Sequence, residues 1–266
     1  MAMEGKKIRL NRIRDKKTGQ FVIVPIDHGV TAGPIKGTVD MAATIGSAYE
    51  GGATAVVVHK GMAEFGLEHL CGDIGFILHL SASTQLGPDP TAKVLVSTVE
   101  EALQLGADAV SVHINVGAET EKDMLTDLGF VSNECREWNV PLLAMMYPRG
   151  PDITDPYDVE LVKHVARLGA ELGADIIKTN YTGNVDTFME VTKGCPVPVI
   201  IAGGPKVNSD REVLQMVYDA MKAGAAGISI GRNIFQHDNV KSITKAISRI
   251  ILEGIEVEDA ETEVTG

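Results

Sequence analysis

Cysteine is scarce in this 266-residue chain: Cys71, Cys135 and Cys195 are odd in number, widely separated and without a Cys-x-x-Cys spacing. That pattern suggests neither a disulfide framework nor a zinc knuckle, and it implies a reducing, cytoplasmic setting. Basic residues are also short, 24 Lys and Arg against 36 Asp and Glu, for a net charge of −12. Non-specific nucleic-acid binding rests on clustered Lys and Arg, so a general affinity for phosphate backbones is excluded. Small anions remain within reach. No apolar run approaches the length of a membrane span, and the first residues lack the apolar region of a secretory signal. The expectation is a soluble protein with no nucleic-acid or membrane partner. No stretch is low in complexity, and hydrophobic residues make up 44% of the chain, which excludes disorder.

Glycine is in excess, 28 of 266 residues, against an average of roughly 7%. Much of it falls in a repeat. Gly52-Ala53, Gly106-Ala107, Gly173-Ala174 and Gly224-Ala225 are each followed by a short apolar run, and helical stretches precede them at Glu100–Leu105, Leu161–Leu172 and Glu212–Ala223. The glycine reads as a left-handed helix stop and the run as a buried strand. Between these units lie four more apolar runs, Phe21–Ile26, Gly75–Leu80, Pro141–Met146 and Val197–Ala202. Interleaved, they predict eight strands starting roughly 25–35 residues apart, the length of a strand plus a crossover helix. The fold class is α/β, a single-domain (β/α)8 TIM barrel. The competing doubly wound sheet would carry an early Gly-x-Gly-x-x-Gly to bind a dinucleotide, and none is present.

The barrel is expected over residues 21–252. Residues 1–20 form a basic segment whose Ile8, Leu10 and Ile13 make a short apolar face placed over the N-terminal mouth. Residues 253–266 hold six acids and no base, which reads as a solvated or frayed acidic tail.

In this fold the chemistry sits at the C-terminal ends of the strands. The polar residues found there are Asp27-His28, His59-Lys60, His79, His113 with Asn115, Tyr147-Pro148-Arg149, Lys178-Thr179-Asn180, Gly203-Gly204-Pro205-Lys206 and Gly231-Arg232-Asn233. Lys178 ends the apolar run Ile176-Ile177, on the same side as Ile176. Desolvation there favours the neutral amine, a nucleophile that can form a Schiff base with a ketone. The alternative is a lysine tied in a structural ion pair with Asp27 or another carboxylate. Tyr147 shares a face with Met145 and can serve as general acid/base beside an iminium, with Met145 shaping the pocket. A packed tyrosine with a satisfied hydroxyl is the plain alternative. Asp27 can accept a proton near Lys178 or only orient it, and strand alternation lets just one of Asp27 and His28 face the lumen directly. Glycines at 203, 204 and 231 allow backbone N–H groups to approach a phosphate, with Arg232 adding a charge-assisted contact; tight turns alone are the alternative. His28, Arg149 and Lys206 are further substrate-binding candidates. His59, His79 and His113 lack tight ligand spacing, so no metal is expected. His69, His164 and His237 receive no role.

Together, Pro25-Ile26-Asp27-His28-Gly29, Met145-Met146-Tyr147-Pro148-Arg149-Gly150, Ile177-Lys178-Thr179 and Ala202-Gly203-Gly204-Pro205 resemble the archaeal-type class I aldolase family over nearly the whole chain. The resemblance implies that Lys178 is the Schiff-base lysine, Tyr147 the proton donor and Asp27 a proton acceptor. It also implies that Gly203-Gly204 and Gly231-Arg232 hold a sugar phosphate, that the substrates are a sugar phosphate and an aldehyde, and that no metal or organic cofactor is needed. A ring-like homo-oligomer such as a decamer is implied as well. Fructose-bisphosphate aldolases of the family carry Trp two residues before the catalytic Tyr. Met145 stands there instead, and with Pro34-Ile35-Lys36-Gly37 and the Gly231–Asp238 segment it points to the synthase branch, which acts on a deoxyketo-sugar phosphate and aspartate semialdehyde.

Overall fold

The computed structural model describes residues 4–67, 72–207 and 209–265; His69 and Cys71 lie outside them. Eight parallel strands close into a barrel in chain order: β1 Phe21–Pro25, β2 Ala55–Val58, β3 Gly75–His79, β4 Ala109–Val116, β5 Leu142–Pro148, β6 Ile176–Thr179, β7 Val199–Ala202 and β8 Gly227–Ser229. Closure is made by β8 lying beside β1, with Val22 opposite Ile228. The eight expected strands and their order are all present. No helix among the described residues is long and apolar enough to cross a membrane.

The Gly-Ala repeat has a single structural meaning. Gly52, Gly106, Gly173 and Gly224 adopt φ of 93°, 81°, 99° and 87°, and each follows a helix. In every case the glycine N–H bonds back to the second-last helical carbonyl, and the alanine N–H to a carbonyl five residues earlier, as in Ala53 to Ala48 at 3.0 Å and Ala107 to Ala102 at 2.9 Å. These are Schellman stops, which require the left-handed backbone that glycine adopts at little cost. The alanine that follows is buried each time and leads the chain directly into an even-numbered strand. The helix at Val159–Glu171 shows the whole unit: Asp158 caps its first N–H groups, Val162, Val165 and Ala166 face the barrel, and Gly173 ends it before β6.

Side chains alternate between two separate apolar clusters. One lies between the barrel and its helices. The other fills the lumen with Phe21, Ile23, Ala55, Val57, Ile77, Ala109, Leu143, Met145, Tyr147, Ile176 and Ile200. Ile13, the last residue of the helix Glu4–Ile13, belongs to the lumen cluster and is fully buried. That helix is fastened at the N-terminal mouth by an ion pair from Lys6 to Asp175 at 2.9 Å, one from Arg12 to Asp108 at 3.1 Å, and a bond from Arg9 to the Ala107 carbonyl. Gly75 makes the approach feasible, since a Cβ there would lie 2.5 Å from the Arg12 carbonyl oxygen.

At the other end of the chain the structure departs from expectation. Residues Val257–Thr265 form a helix. Val257 and Ala260 are buried against the core, and the acids meet bases of earlier helices, Glu258 and Glu261 with Arg211 and Glu263 with Lys245 and Arg249. A segment without bases of its own is therefore neutralised from outside.

A second addition follows β3, where Ser81–Ala82 and Val94–Leu95 pair as a small antiparallel hairpin, outside the barrel sheet.

Candidate active site

Above the apolar lumen, a cavity of about 390 Å³ opens at the C-terminal ends of the strands. It brings together residues from all eight strand ends, including Asp27, His28, His59, His79, His113, Met145, Tyr147, Arg149, Lys178, Gly203, Gly204, Gly231 and Arg232. Of the sequence-derived candidates, Lys206 is not among its lining residues; its amine donates to the Gln236 carbonyl at 2.6 Å.

Lys178 stands one layer above Ile176 on β6, opposite Met145 of β5 and Ile200 of β7 in register, and is 6% exposed. Burial pulls its pKa down to about 8, against the opposing attraction of Asp27 and with help from the charges of Arg149 and Arg232. About a tenth of such amines are neutral at pH 7, several hundredfold more than for an ordinary lysine. Among the described residues, no carboxylate lies within ion-pair distance of Lys178, so Asp27 acts on it across a gap. The structural ion pair weighed above is absent there.

Tyr147, near the end of β5, is 5% exposed. Burial pushes its phenol well above the ordinary range, a displacement that Arg149 opposes and Asp27 reinforces. At neutral pH the hydroxyl therefore keeps its proton. Its ring is held by His113 at 5.0 Å between centroids and by the Arg149 guanidinium at 4.5 Å.

Asp27 and His28, both candidates from the sequence, both line the cavity, although strand alternation would aim only one of them directly at the lumen. The strand ends at Pro25, and Asp27, at φ −83° and ψ 1°, begins the turn into the short helix His28–Ala32. Beyond the last extended residue, strand alternation no longer applies. The Asp27 carboxylate lies 3.2 Å from His28 Nδ1 and 3.7 Å from His79 Nε2. Burial alone would raise its pKa, but His28, His79 and Lys178 together hold it well below the usual carboxylate range. It is an anion at neutral pH.

The glycines serve the site in different ways. Gly204, at φ 63°, turns left-handed, and a Cβ there would meet only the Tyr157 hydroxyl at 3.9 Å, whereas a Cβ on Gly231 would sit 2.8 Å from His28 Cε1 and from the Pro25 carbonyl. The space left by Gly231 is thus taken by His28. Arg232 donates to the Gly204 carbonyl at 2.9 Å. The buried Asn233 donates to the carbonyls of Gly203 and Pro205 and accepts from Val207 N–H. The β7 and β8 loops are cross-tied by this one amide. On the same rim, Ser229 is 1% exposed and its hydroxyl has no hydrogen-bond partner among the described residues.

The three strand-end histidines do not converge as ligands. His79 pairs with Ser111 Oγ at 2.8 Å and His113 with Asn115 Oδ1 at 2.9 Å. No group of three His, Cys, Asp or Glu suited to a metal occurs among the described residues. Burial lowers the His79 pKa to about 3, so its ring is neutral.

Sequence reasoning missed Lys93, Asn180 and Ser229 as lining residues and Asn233 as a tie. Asn180 and Asn233 stand in strand-end motifs that were read for their neighbours. Lys93 comes from the Pro- and Thr-rich stretch after β3, where no periodicity marks its destination.

The profile of the DeoC/LacD family aldolases matches residues 21–237. Among similar proteins, the 2-amino-3,7-dideoxy-D-threo-hept-6-ulosonate synthase of Halobacterium salinarum is 46% identical, over 98% of this chain and 96% of that protein. The 2-amino-4,5-dihydroxy-6-oxo-7-(phosphonooxy)heptanoate synthase of Streptomyces griseus is 42% identical, over 92% and 90%. A solved structure of a Schiff-base-forming fructose-1,6-bisphosphate aldolase superposes with a TM-score of 0.86 at 30% identity, over 92% of this chain and 99% of that one. With its closed barrel and the desolvated lysine at the end of β6, this chain belongs to the DeoC/LacD family of aldolases.

Proposed function

We propose that the protein is a class I synthase that transfers a ketone fragment from 6-deoxy-5-ketofructose 1-phosphate to L-aspartate semialdehyde, yielding 2-amino-3,7-dideoxy-D-threo-hept-6-ulosonate for aromatic amino-acid synthesis. The observation that carries this reading is Lys178, a buried lysine with its pKa drawn to about 8 beside Tyr147 and Asp27. The relatives bearing the synthase name, at 44% and 46% identity over nearly their full lengths, supply the substrate class.

In this mechanism the neutral amine of Lys178 attacks the ketone at the deoxy end, and Asp27 relays the proton from nitrogen to oxygen. Tyr147 gives its proton to the departing hydroxyl, water leaves, and an iminium forms. The phenolate then takes the proton from the hydroxyl one carbon beyond the α-carbon. The carbon–carbon bond between them breaks, and its electron pair moves into the iminium to give an enamine. Hydroxypyruvaldehyde phosphate is released from Gly203, Gly204, Gly231 and Arg232. The enamine carbon adds to the aldehyde of aspartate semialdehyde, Tyr147 protonates the new alkoxide, and water hydrolyses the iminium to restore Lys178. His28 and Arg149 orient the substrates, and Met145 leaves room where a larger residue would crowd the acceptor. The working form we propose is a cytoplasmic homo-oligomer, whose contacts would cover exposed apolar residues such as Phe65, Phe130 and Trp138.

Borohydride added with the deoxyketo-sugar phosphate should fix an adduct on Lys178, mapped by mass spectrometry; an unmodified Lys178 sinks the Schiff-base reading. A second reading, fructose-bisphosphate aldolase, is favoured by the solved-structure likeness. The Streptomyces relative's name adds a third, in which the product keeps a phosphate. Assays with fructose 1,6-bisphosphate, and with aspartate semialdehyde plus either the deoxyketo-sugar phosphate or dihydroxyacetone phosphate, separate the three by which pair turns over.

A further inference from the structure

The charges facing the cavity are unbalanced. Asp27 is the one acid among its lining residues, while Lys93, Arg149, Lys178 and Arg232 are bases, in a protein whose net charge is −12. Arg232 and the glycine turns account for one phosphate. Lys93 and Arg149 are left over, and their charges act on each other unfavourably. Asp27 and Asp89 attract Lys93 without reaching ion-pair distance, and no ion pair of the described residues includes Lys93 or Arg149.

Holding two cations over one cavity costs free energy, and the surrounding structure pins the first of them there. Lys93 immediately precedes the Val94–Leu95 strand of the hairpin after β3. Its amine donates to Ser83 Oγ, which in turn donates to the Pro90 carbonyl at 2.7 Å. The turn is closed by Asp89 and Thr91. Asn115 of β4 holds the Thr91 carbonyl at 2.7 Å, and Thr31, on the helix after β1, donates to the Ser83 carbonyl. Lys93 is therefore carried on a loop fastened from two sides, and burial beside Arg149 lowers its pKa. Arg149 is fixed in turn by its stacking on Tyr147.

We propose that Lys93, with Arg149, is the anchor for the anionic end of the acceptor aldehyde, a carboxylate in the reaction above. This rests on the proposed function and adds the residue that selects its second substrate. The anion neutralises two cations that have no carboxylate partner, and these follow β3 and β5 whereas the glycine cup follows β7 and β8, so the two halves of the reaction are recognised by different bases. A charge-assisted bond of this kind is the sort that fixes orientation as well as affinity.

The test is a steady-state comparison of wild type, Lys93→Met, Lys93→Arg and Ser83→Ala, with donor and acceptor varied separately. Lys93→Met should raise KM for aspartate semialdehyde roughly 10- to 100-fold, the range for losing a charged hydrogen bond. KM for the deoxyketo-sugar phosphate and the borohydride adduct on Lys178 should stay as in wild type. Lys93→Arg should recover most of the acceptor affinity. With butanal, which has no carboxylate, wild type and Lys93→Met should perform alike. An unchanged acceptor KM overturns the assignment, as does a rise confined to the donor, which would make Lys93 a phosphate contact. An equal rise in Ser83→Ala without rescue by Arg would reduce Lys93 to a support for the loop and overturn it too. Wild-type inactivity on the substrate pair defeats the proposed function itself, and the anchor with it; activity with an indifferent Lys93→Met defeats the anchor alone.

Discussion

The two mouths of the barrel treat charge in opposite ways. At the N-terminal mouth, Lys6 meets Asp175 and Arg12 meets Asp108, and Asp175 also accepts the Leu142 N–H at 2.8 Å. Charges there are matched and locked to backbone. At the C-terminal mouth a single carboxylate faces four bases. Matching holds a fold together, whereas an excess of one sign is held at a cost in stability and is relieved by a ligand.

Removing Lys178 should break the chemistry of the upper mouth most completely. Lys178→Met should lower turnover on the order of 10⁴–10⁶-fold, as for loss of a covalent nucleophile, with no adduct to trap. The same variant should be more stable at neutral pH. The folded pKa of about 8 lies below the ordinary 10.5, so the unfolded chain binds more protons between those values. The penalty is fully present below pH 8 and disappears as pH rises toward 10.5. Denaturant titration at pH 7 should show a gain of about 3 kcal/mol; a loss would mean that Lys178 is structurally paired.

Tyr147→Phe should cost about 10²–10⁴ in turnover while still forming some adduct, and wild-type rates would remove Tyr147 from the proton path. At the lower mouth, Asp175→Asn should do the reverse. It leaves the nearly buried Lys6 amine without its anion, with an expected loss of about 3 kcal/mol by thermal or denaturant unfolding. Turnover per folded molecule should change by less than a factor of about two; a larger change would show that the two mouths are not independent.

What could be read from sequence divides along a physical line. The Gly-Ala stops, the eight strands and the lumen side of Lys178, Met145 and Tyr147 follow from local backbone rules and strand alternation, so they were legible. Asp27 and His28 were half legible, because alternation holds only while the strand continues, and it ends two residues earlier. Lys93 was not, since its position depends on Ser83, Thr31 and Asn115, three partners far apart in the chain. The final helix was hidden by its own composition: Val257 and Ala260 have helical spacing, but the bases that neutralise the acids around them lie on other helices.

The stopper formed by Ile13 beneath a packed lumen has a consequence for traffic. With one end plugged, everything that reaches Lys178 enters and departs through the same opening. Whatever reacts at Lys178 and whatever leaves it must therefore pass the same rim of side chains. A closed floor makes the barrel a one-ended vestibule, so the loops around its upper rim alone decide what reaches the lysine.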